Sequence, residues 1–138
     1  MNYWVYVGLD SSQKYIALCK DRGVDKESTL LALEAASLVF DVDKHAITSK
    51  CRLKNVAEAR HCYCAILYRH TRLSLKGIAL PIGRNHATVL NSVKVTANLC
   101  DIDKDFKEKV DKAMTIYENL KNKEDAVHNG HRLHRVKN

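Results

Sequence analysis

The scarcity of helix-breaking residues is the feature that most constrains the fold of this chain. Its 138 residues include one proline and five glycines, and both residue types mark turns and breaks. Apolar residues make up 46% of the chain, which is enough for a core, and the length suits a single domain. Its apolar runs, such as 64–67 and 78–82, are far shorter than the roughly 20 residues of a membrane span. We therefore predict a small all-α domain of about six helices.

Cap residues and apolar spacing give the approximate bounds of these helices. Helices are predicted to open at 27–29, after 41–43, and over 54–70, 75–80, 85–100 and 104–121. The apolar residues of the first of these cover much of its circumference, which predicts that it is well buried. In the long helix from 54, Arg60 is predicted to lie off the apolar stripe. In the last helix, buried residues are expected at an i, i+4, i+8, i+11 spacing: Phe106, Val110, Met114 and Tyr117.

Three segments are predicted along the chain. Residues 1–27 form an N-terminal extension with a short strand at 1–9 and a helix at 13–21. Residues 28–122 form the helical domain, and residues 123–138 form a basic, histidine-containing flexible tail. The aromatic residues Tyr3, Trp4 and Tyr6 either complete the core of this small domain or form a contact with a partner protein.

The positive charge is concentrated in the middle of the chain. The formal net charge is +7, but residues 44–94 carry ten basic residues against one acid, Glu58. A folded block with this imbalance is expected to bind a polyanion, because each neutralised phosphate releases condensed counterions. The alternative is a solvated face that keeps the protein soluble. Lys50 and Lys54 of this block, together with Ser74, are predicted to be among the residues that contact the polyanion.

A helix-turn-helix is predicted within the basic block. A short helix capped by Ser74 leads into a turn containing Gly83, and a longer helix follows from about residue 85. In this motif the second helix lies in the major groove, and its N-terminal residues reach the base edges. The residues predicted to do so here are Arg84, Asn85, His86, Ala87, Thr88 and Asn91.

These residues resemble the C-terminal DNA-binding domain of the bacterial replication initiator DnaA. The resemblance rests on Ser49-Lys50-Cys51-Arg52, on Val56-Ala57 with Arg60, on Thr71 with Ser74-Leu75, and on the run from Gly83 to Leu90. It extends over residues 28–120. It implies an all-helical fold related to Trp-repressor-type helix-turn-helix proteins, and it implies binding to double-stranded DNA.

The resemblance also implies roles for individual residues. Arg52 matches the family's minor-groove arginine, and Arg60 matches an arginine that contacts the backbone or bases. His61 stands where the family usually has glutamine, and Asn85, His86 and Thr88 match members of the major-groove set. Ala87 replaces a base-contacting threonine, Asn85 replaces an aspartate, and Gly83 stands alone where the family has a glycine pair. These departures predict an altered or relaxed sequence preference.

Neither a metal site nor a cofactor is predicted. Cys62 and Cys64 point about 200° apart on one helix, which does not suit a shared metal. The odd count of five cysteines is more typical of small core residues in a reducing cytoplasm than of disulfides. No phosphate-binding loop of the G-x-x-x-x-G-K-[ST] type occurs in the sequence. We therefore expect no bound nucleotide and no ATPase module within these 138 residues.

Two classes of function follow from the sequence. The first is a non-enzymatic DNA-binding protein of replication or transcription control, located in the cytoplasm of a bacterial or phage-infected cell. The alternative is a protein-interaction module that keeps the helical scaffold and binds a replication or transcription partner, with residues 1–27 as a possible contact. An enzyme is disfavoured, because no paired carboxylates, nucleophile elbow or metal signature is present.

Overall fold

The computed structural model describes residues 26–128. The expected strand at 1–9, the expected helix at 13–21 and most of the expected tail lie outside this range. Within it, the chain forms six α-helices and one 3-10 helix: α1 (Lys26–Phe40), α2 (Lys44–Thr48), α3 (Lys54–His70), α4 (Leu75–Ala79), the 3-10 helix (Leu80–Ile82), α5 (His86–Ile102) and α6 (Lys104–His128). The predicted all-α class is confirmed.

Helix α3 lies at the centre of the domain. It packs against α1 and α5, while α6 packs against α1 and also contacts α5. From Cys62 to Tyr68 every side chain of α3 is buried, which is typical of a helix with neighbours on several sides. The hydroxyl of Tyr63 donates a hydrogen bond of 3.0 Å to the carbonyl oxygen of Ile78. This bond fixes α4 against the central helix.

The buried cysteines of α3 are core residues. Cys62 and Cys64 are both fully buried. Burial raises the pKa of the Cys64 thiol to about 12 and raises that of Cys62 further, so both thiols stay protonated. Among the described residues, no group of three histidine, cysteine or acidic side chains could hold a metal ion.

Two sequence predictions about the outer helices need correction or extension. Helix α1 is less buried than expected: Leu30 and Leu38 are 60% and 59% exposed, while its buried residues pack mainly against α3 and α6. Helix α6 buries its four predicted core residues and starts where Asp103 accepts from the amide of Phe106 at 3.1 Å. However, it runs to His128 and not to residue 121.

The bounds of the helices bear on the predicted segments and on membrane insertion. The expected segment boundaries at residues 28 and 123 both fall inside helices, α1 and α6. In the part of the chain that the structure describes, no helix combines the length and apolar character needed to cross a bilayer.

Candidate nucleic-acid interface

Helix α4, the 3-10 helix and α5 form the predicted helix-turn-helix. The hydroxyl of Ser74 caps α4 by accepting a hydrogen bond of 3.0 Å from the amide of Gly77. The chain then passes through Gly83, whose φ of +64° is in the left-handed region. Such a conformation favours glycine, because a side chain there approaches the following carbonyl oxygen. The single glycine is therefore sufficient to redirect the chain into the second helix.

Asn85 is the N-cap of α5, the recognition helix. Its side-chain oxygen accepts from the amide of Thr88 at 2.9 Å and from the Thr88 hydroxyl at 3.1 Å. Asparagine is among the strongest N-cap residues, since its oxygen satisfies an amide that the helix leaves unpaired. Asn85 and Thr88 were both predicted to contact DNA, and the structure shows that they also hold the helix start together.

The first turns of α5 present the remaining predicted residues to solvent. His86, Ala87 and Asn91 are exposed, whereas Val89 on the opposite side is fully buried. A fixed buried face means that the exposed face has a defined direction. This is the arrangement that a helix needs in order to place side chains in a DNA groove.

The basic loop, residues 49–53 between α2 and α3, lies beside this helix start. One terminal nitrogen of Arg84, Nη2, donates a hydrogen bond of 2.9 Å to the carbonyl oxygen of Ser49. The neighbouring side chains of Lys50, Arg52 and Lys54 are exposed. The structure thus brings two predicted groups, the basic loop and the recognition helix, to one part of the surface.

Arg60 is placed differently from its prediction. Its side chain is buried, and the residue is only 7% exposed. Its Nε donates to the carbonyl oxygen of Ile47 at 2.8 Å, and its Nη2 lies within hydrogen-bond distance of three more carbonyls, those of Ala46, Ser49 and Cys51. The prediction that Arg60 lies off the buried side of α3 is wrong, because an arginine can be buried when backbone carbonyls accept from its guanidinium group.

The electrostatic environment of Arg60 agrees with this placement. Burial, and secondarily the nearby charge of Arg84, lower the pKa of its guanidinium group. Arginine nevertheless stays charged in proteins. Its charge therefore sits directly behind the exposed basic loop, facing carbonyl groups that belong to that loop.

His61 faces the recognition helix instead of solvent. Its Nδ1 atom lies 2.9 Å from the hydroxyl oxygen of Ser92 on α5, and its ring is partly buried. Burial, followed by the charge of Arg60, lowers the pKa of the imidazole. The position is one that the resemblance associates with DNA contact, but in this structure the side chain joins α3 to α5.

Two features of the site were missed by the sequence reasoning. Leu53 is 67% exposed between Arg52 and Lys54. The signal that could have found it is its position between two basic residues in the sequence. The bond between Arg84 and the Ser49 carbonyl joins residues 35 positions apart. No local pattern indicates such a contact, because its acceptor is a backbone atom.

Comparison with known proteins matches the same part of the chain. Residues 33–95 match a family model described as the bacterial dnaA protein helix-turn-helix. Over 73 residues the chain is 41% identical to the chromosomal replication initiator protein DnaA of Flavobacterium psychrophilum. This alignment covers 52% of this chain and 15% of that protein. The DnaA proteins of Porphyromonas gingivalis and Bacteroides fragilis are each 33% identical, over 96 and 94 residues. These alignments cover 68% and 67% of this chain, and 20% and 19% of the two proteins.

Proposed function

We propose that this chain, whose residues 33–95 form a helix-turn-helix of the bacterial DnaA type, is a non-enzymatic protein that binds double-stranded DNA. The observation that carries the proposal is the placement of the exposed basic loop beside the exposed start of α5, joined by Arg84 and Ser49. The chain spans a fifth or less of the length of its curated relatives. Its role in replication or transcription control is part of this proposal.

The two exposed groups suit different parts of the duplex. The start of α5 enters the major groove, where the side chains of His86 and Asn91 meet base edges. The amides at the start of a helix also favour a nearby phosphate. Lys50 and Arg52 contact the sugar–phosphate backbone or the adjacent minor groove, where positive charge is attracted to the phosphates.

The differences from the family pattern point to a changed sequence preference. Ala87, exposed on the first turn of α5, offers a methyl group where the family has a threonine hydroxyl. A methyl group can contact the methyl of thymine but cannot donate a hydrogen bond. The buried Arg60 shapes the basic loop. The remaining contacts to the backbone support binding even where base discrimination is relaxed.

The division of the chain follows from this function. We propose residues 28–122 as the DNA-binding domain, with residues 1–27 as an extension that contacts a protein partner and residues 123–138 as a basic tail. The proposed activity requires no cofactor, nucleotide or membrane, and its location is the cytoplasm.

A second candidate function is favoured by one observation. Leu30 and Leu38, about two turns apart on α1, are more than half exposed, and a protein partner that covered both would bury apolar surface. In this alternative the scaffold binds a replication or transcription partner. A nuclease-treated pull-down that recovers a stable partner, combined with no binding to duplex DNA, would support this alternative over the first.

Duplex binding at several salt concentrations tests the proposed function. The intact chain is titrated into a fluorescent 30-base-pair duplex, and fluorescence anisotropy gives the affinity. We expect log K to fall linearly with log salt, at a slope of about −0.9 for each phosphate neutralised. No binding at low salt, or binding that does not respond to salt, would contradict the proposal. Arg72→Gln, which removes one exposed charge at the far end of α3, serves as the control.

A further inference from the structure

We infer that Arg84 is a positioning residue, which holds the basic loop (residues 49–53) in fixed register with the start of the recognition helix. The inference rests on the proposed function, since it concerns how the two DNA-facing groups are kept together. Arg84 was expected to contact DNA itself. The structure supports a different role for its side chain.

The guanidinium group of Arg84 bridges two separate pieces of backbone. Nη1 donates to the carbonyl oxygen of Ile82 at 2.8 Å, and Nη2 donates to the carbonyl oxygen of Ser49 at 2.9 Å. Its own amide donates to the carbonyl oxygen of Ala79 at 3.1 Å. The first carbonyl belongs to the turn and the second to the basic loop. The planar arginine fork therefore sets the distance between the two segments, which a point charge could not do.

The basic loop depends on such contacts for its shape. Residues 49–53 lie between α2 and α3 and form no helix of their own. Their short-range hydrogen bonds are few. The amide and the hydroxyl of Ser49 both donate to the carbonyl of Ala46, the amide of Cys51 donates to the hydroxyl of Ser49, and the carbonyl of Leu53 accepts from the amide of Ala57. Arg60 holds the loop from the core side, through the carbonyls of Ser49 and Cys51. Arg84 joins the loop to the helix-turn-helix through its bond to the Ser49 carbonyl.

The Ser49 carbonyl, which accepts from both Arg60 and Arg84, lies next to residues that are proposed to contact DNA. Ser49 directly precedes Lys50, and Arg84 directly precedes Asn85, the cap of α5. Movement at the Ser49 carbonyl would shift Lys50 and Arg52 relative to His86. A protein that contacts two grooves gains discrimination when both sets of contacts form together. A loop that had to be ordered on binding would cost conformational entropy and would offset that gain.

Charge-conserving and charge-removing variants separate positioning from direct phosphate contact. Arg84→Lys keeps the charge but cannot bridge two carbonyls with a rigid fork. Arg84→Gln removes the charge. The intact chain and both variants are tested on the best duplex selected from a random pool and on a scrambled duplex, with Arg72→Gln as the control for loss of one exposed charge.

If Arg84 has a positioning role, both variants reduce the ratio of the affinity for the selected duplex to that for the scrambled duplex by about tenfold. This is the factor expected for losing one hydrogen bond to a charged group. The slope of log K against log salt stays at the wild-type value in Arg84→Lys. Wild-type discrimination in Arg84→Lys would overturn the inference. So would a slope reduced by about 0.9 in Arg84→Gln with an unchanged affinity ratio, since that result identifies a phosphate contact.

Hydrogen exchange tests the same contact without DNA. We expect the amide of Cys51, which donates to the hydroxyl of Ser49, to exchange about tenfold faster in Arg84→Lys than in the wild type, while the amides at the centre of α3 keep their protection. Equal exchange of the loop in both proteins would overturn the inference, even if the wild type fails to bind any duplex. If the wild type binds no duplex but the loop exchanges faster in Arg84→Lys, the result counts against the proposed function and not against this inference.

Discussion

The imidazole of His61 lies 2.9 Å from the hydroxyl oxygen of Ser92, and this contact joins the central helix α3 to the recognition helix α5. The same pair of helices is joined one turn further on, where the hydroxyl of Thr96 donates to the carbonyl oxygen of His61 at 3.1 Å. The recognition helix is thus fixed from behind by polar contacts as well as by its apolar face. The polar contacts and the apolar packing together fix the orientation of the exposed residues of α5.

The buried position of His61 predicts that the protein loses stability in mild acid. Burial lowers the pKa of His61 in the folded state, so near pH 6 the unfolded chain binds more protons than the folded chain. Stability therefore rises with pH in this window and falls as the pH drops below about 6.5. We expect His61→Gln to reduce the pH dependence of the free energy of unfolding, measured in urea between about pH 5.5 and 7.5.

A matched variant separates titration from the loss of a hydrogen bond. Ser92→Ala removes the partner of His61 but leaves the imidazole buried. We expect it to lower stability while keeping the pH dependence. His70, whose pKa is also lowered by burial, contributes to the dependence that remains in His61→Gln. An unchanged pH profile in His61→Gln would contradict the assignment.

Arg60 is predicted to be a stability residue first. Arg60→Met keeps most of the side-chain length but removes the side-chain donor to the carbonyls of Ile47 and Cys51, while the Ser49 carbonyl keeps its bond from Arg84. We expect a loss of about 2–4 kcal/mol in the free energy of unfolding, because buried acceptors are left unsatisfied. Arg52→Met, at an exposed position, should change stability by no more than about 0.5 kcal/mol. Similar losses in the two variants would show that the Arg60 contacts do not form.

The conformation of Gly83 predicts a specific cost for adding a side chain. Its φ is +64°, and a Cβ atom built there meets no other atom within 4 Å. The cost is therefore confined to the backbone, and we expect Gly83→Ala to destabilise the chain by about 1 kcal/mol. Gly83→Asn should cost less, since asparagine visits the left-handed region more readily. Thermal unfolding measures both, and a Gly83→Ala variant as stable as the wild type would refute the proposed turn geometry.

The exposed residues of the interface are predicted to fall into two groups. His86→Ala and Asn91→Ala should lower the affinity for a preferred duplex more than the affinity for a scrambled one, because base edges carry the sequence information. Arg52→Ala should weaken binding to both duplexes alike and reduce the salt slope by about 0.9. Binding titrations with both duplexes at two or more salt concentrations measure this, and equal behaviour of the two groups would contradict the division.

Much of the fold was predictable because its signals are local. The bounds of α3 follow from a continuous apolar spacing, Ser74 caps α4 as predicted, and α5 begins next to the predicted start at residue 85. The end of α6 was not predictable in this way. Residues 122–128 have lost the apolar spacing, but they include lysine, glutamate and alanine, which sustain a helix by their own propensity.

The site was predictable in composition but not in geometry. The basic loop and the start of α5 were both identified, since charge and turn residues are visible in the sequence. The burial of Arg60 was not, because its acceptors are backbone carbonyls 9–14 residues earlier in the chain. The orientation of His61 toward Ser92 likewise depends on how α3 and α5 cross, and helix crossing is a property of the packed structure.

Selection of duplexes from a random pool by the intact chain tests the central claim most directly. If α5 reads the major groove, the bound fraction becomes enriched in one short motif. Repeating the selection with His86→Ala then weakens or alters the motif at the bases that His86 contacts. Recovery of no motif by the wild type, or the same motif with the same enrichment by His86→Ala and Asn91→Ala, would contradict sequence reading by this helix.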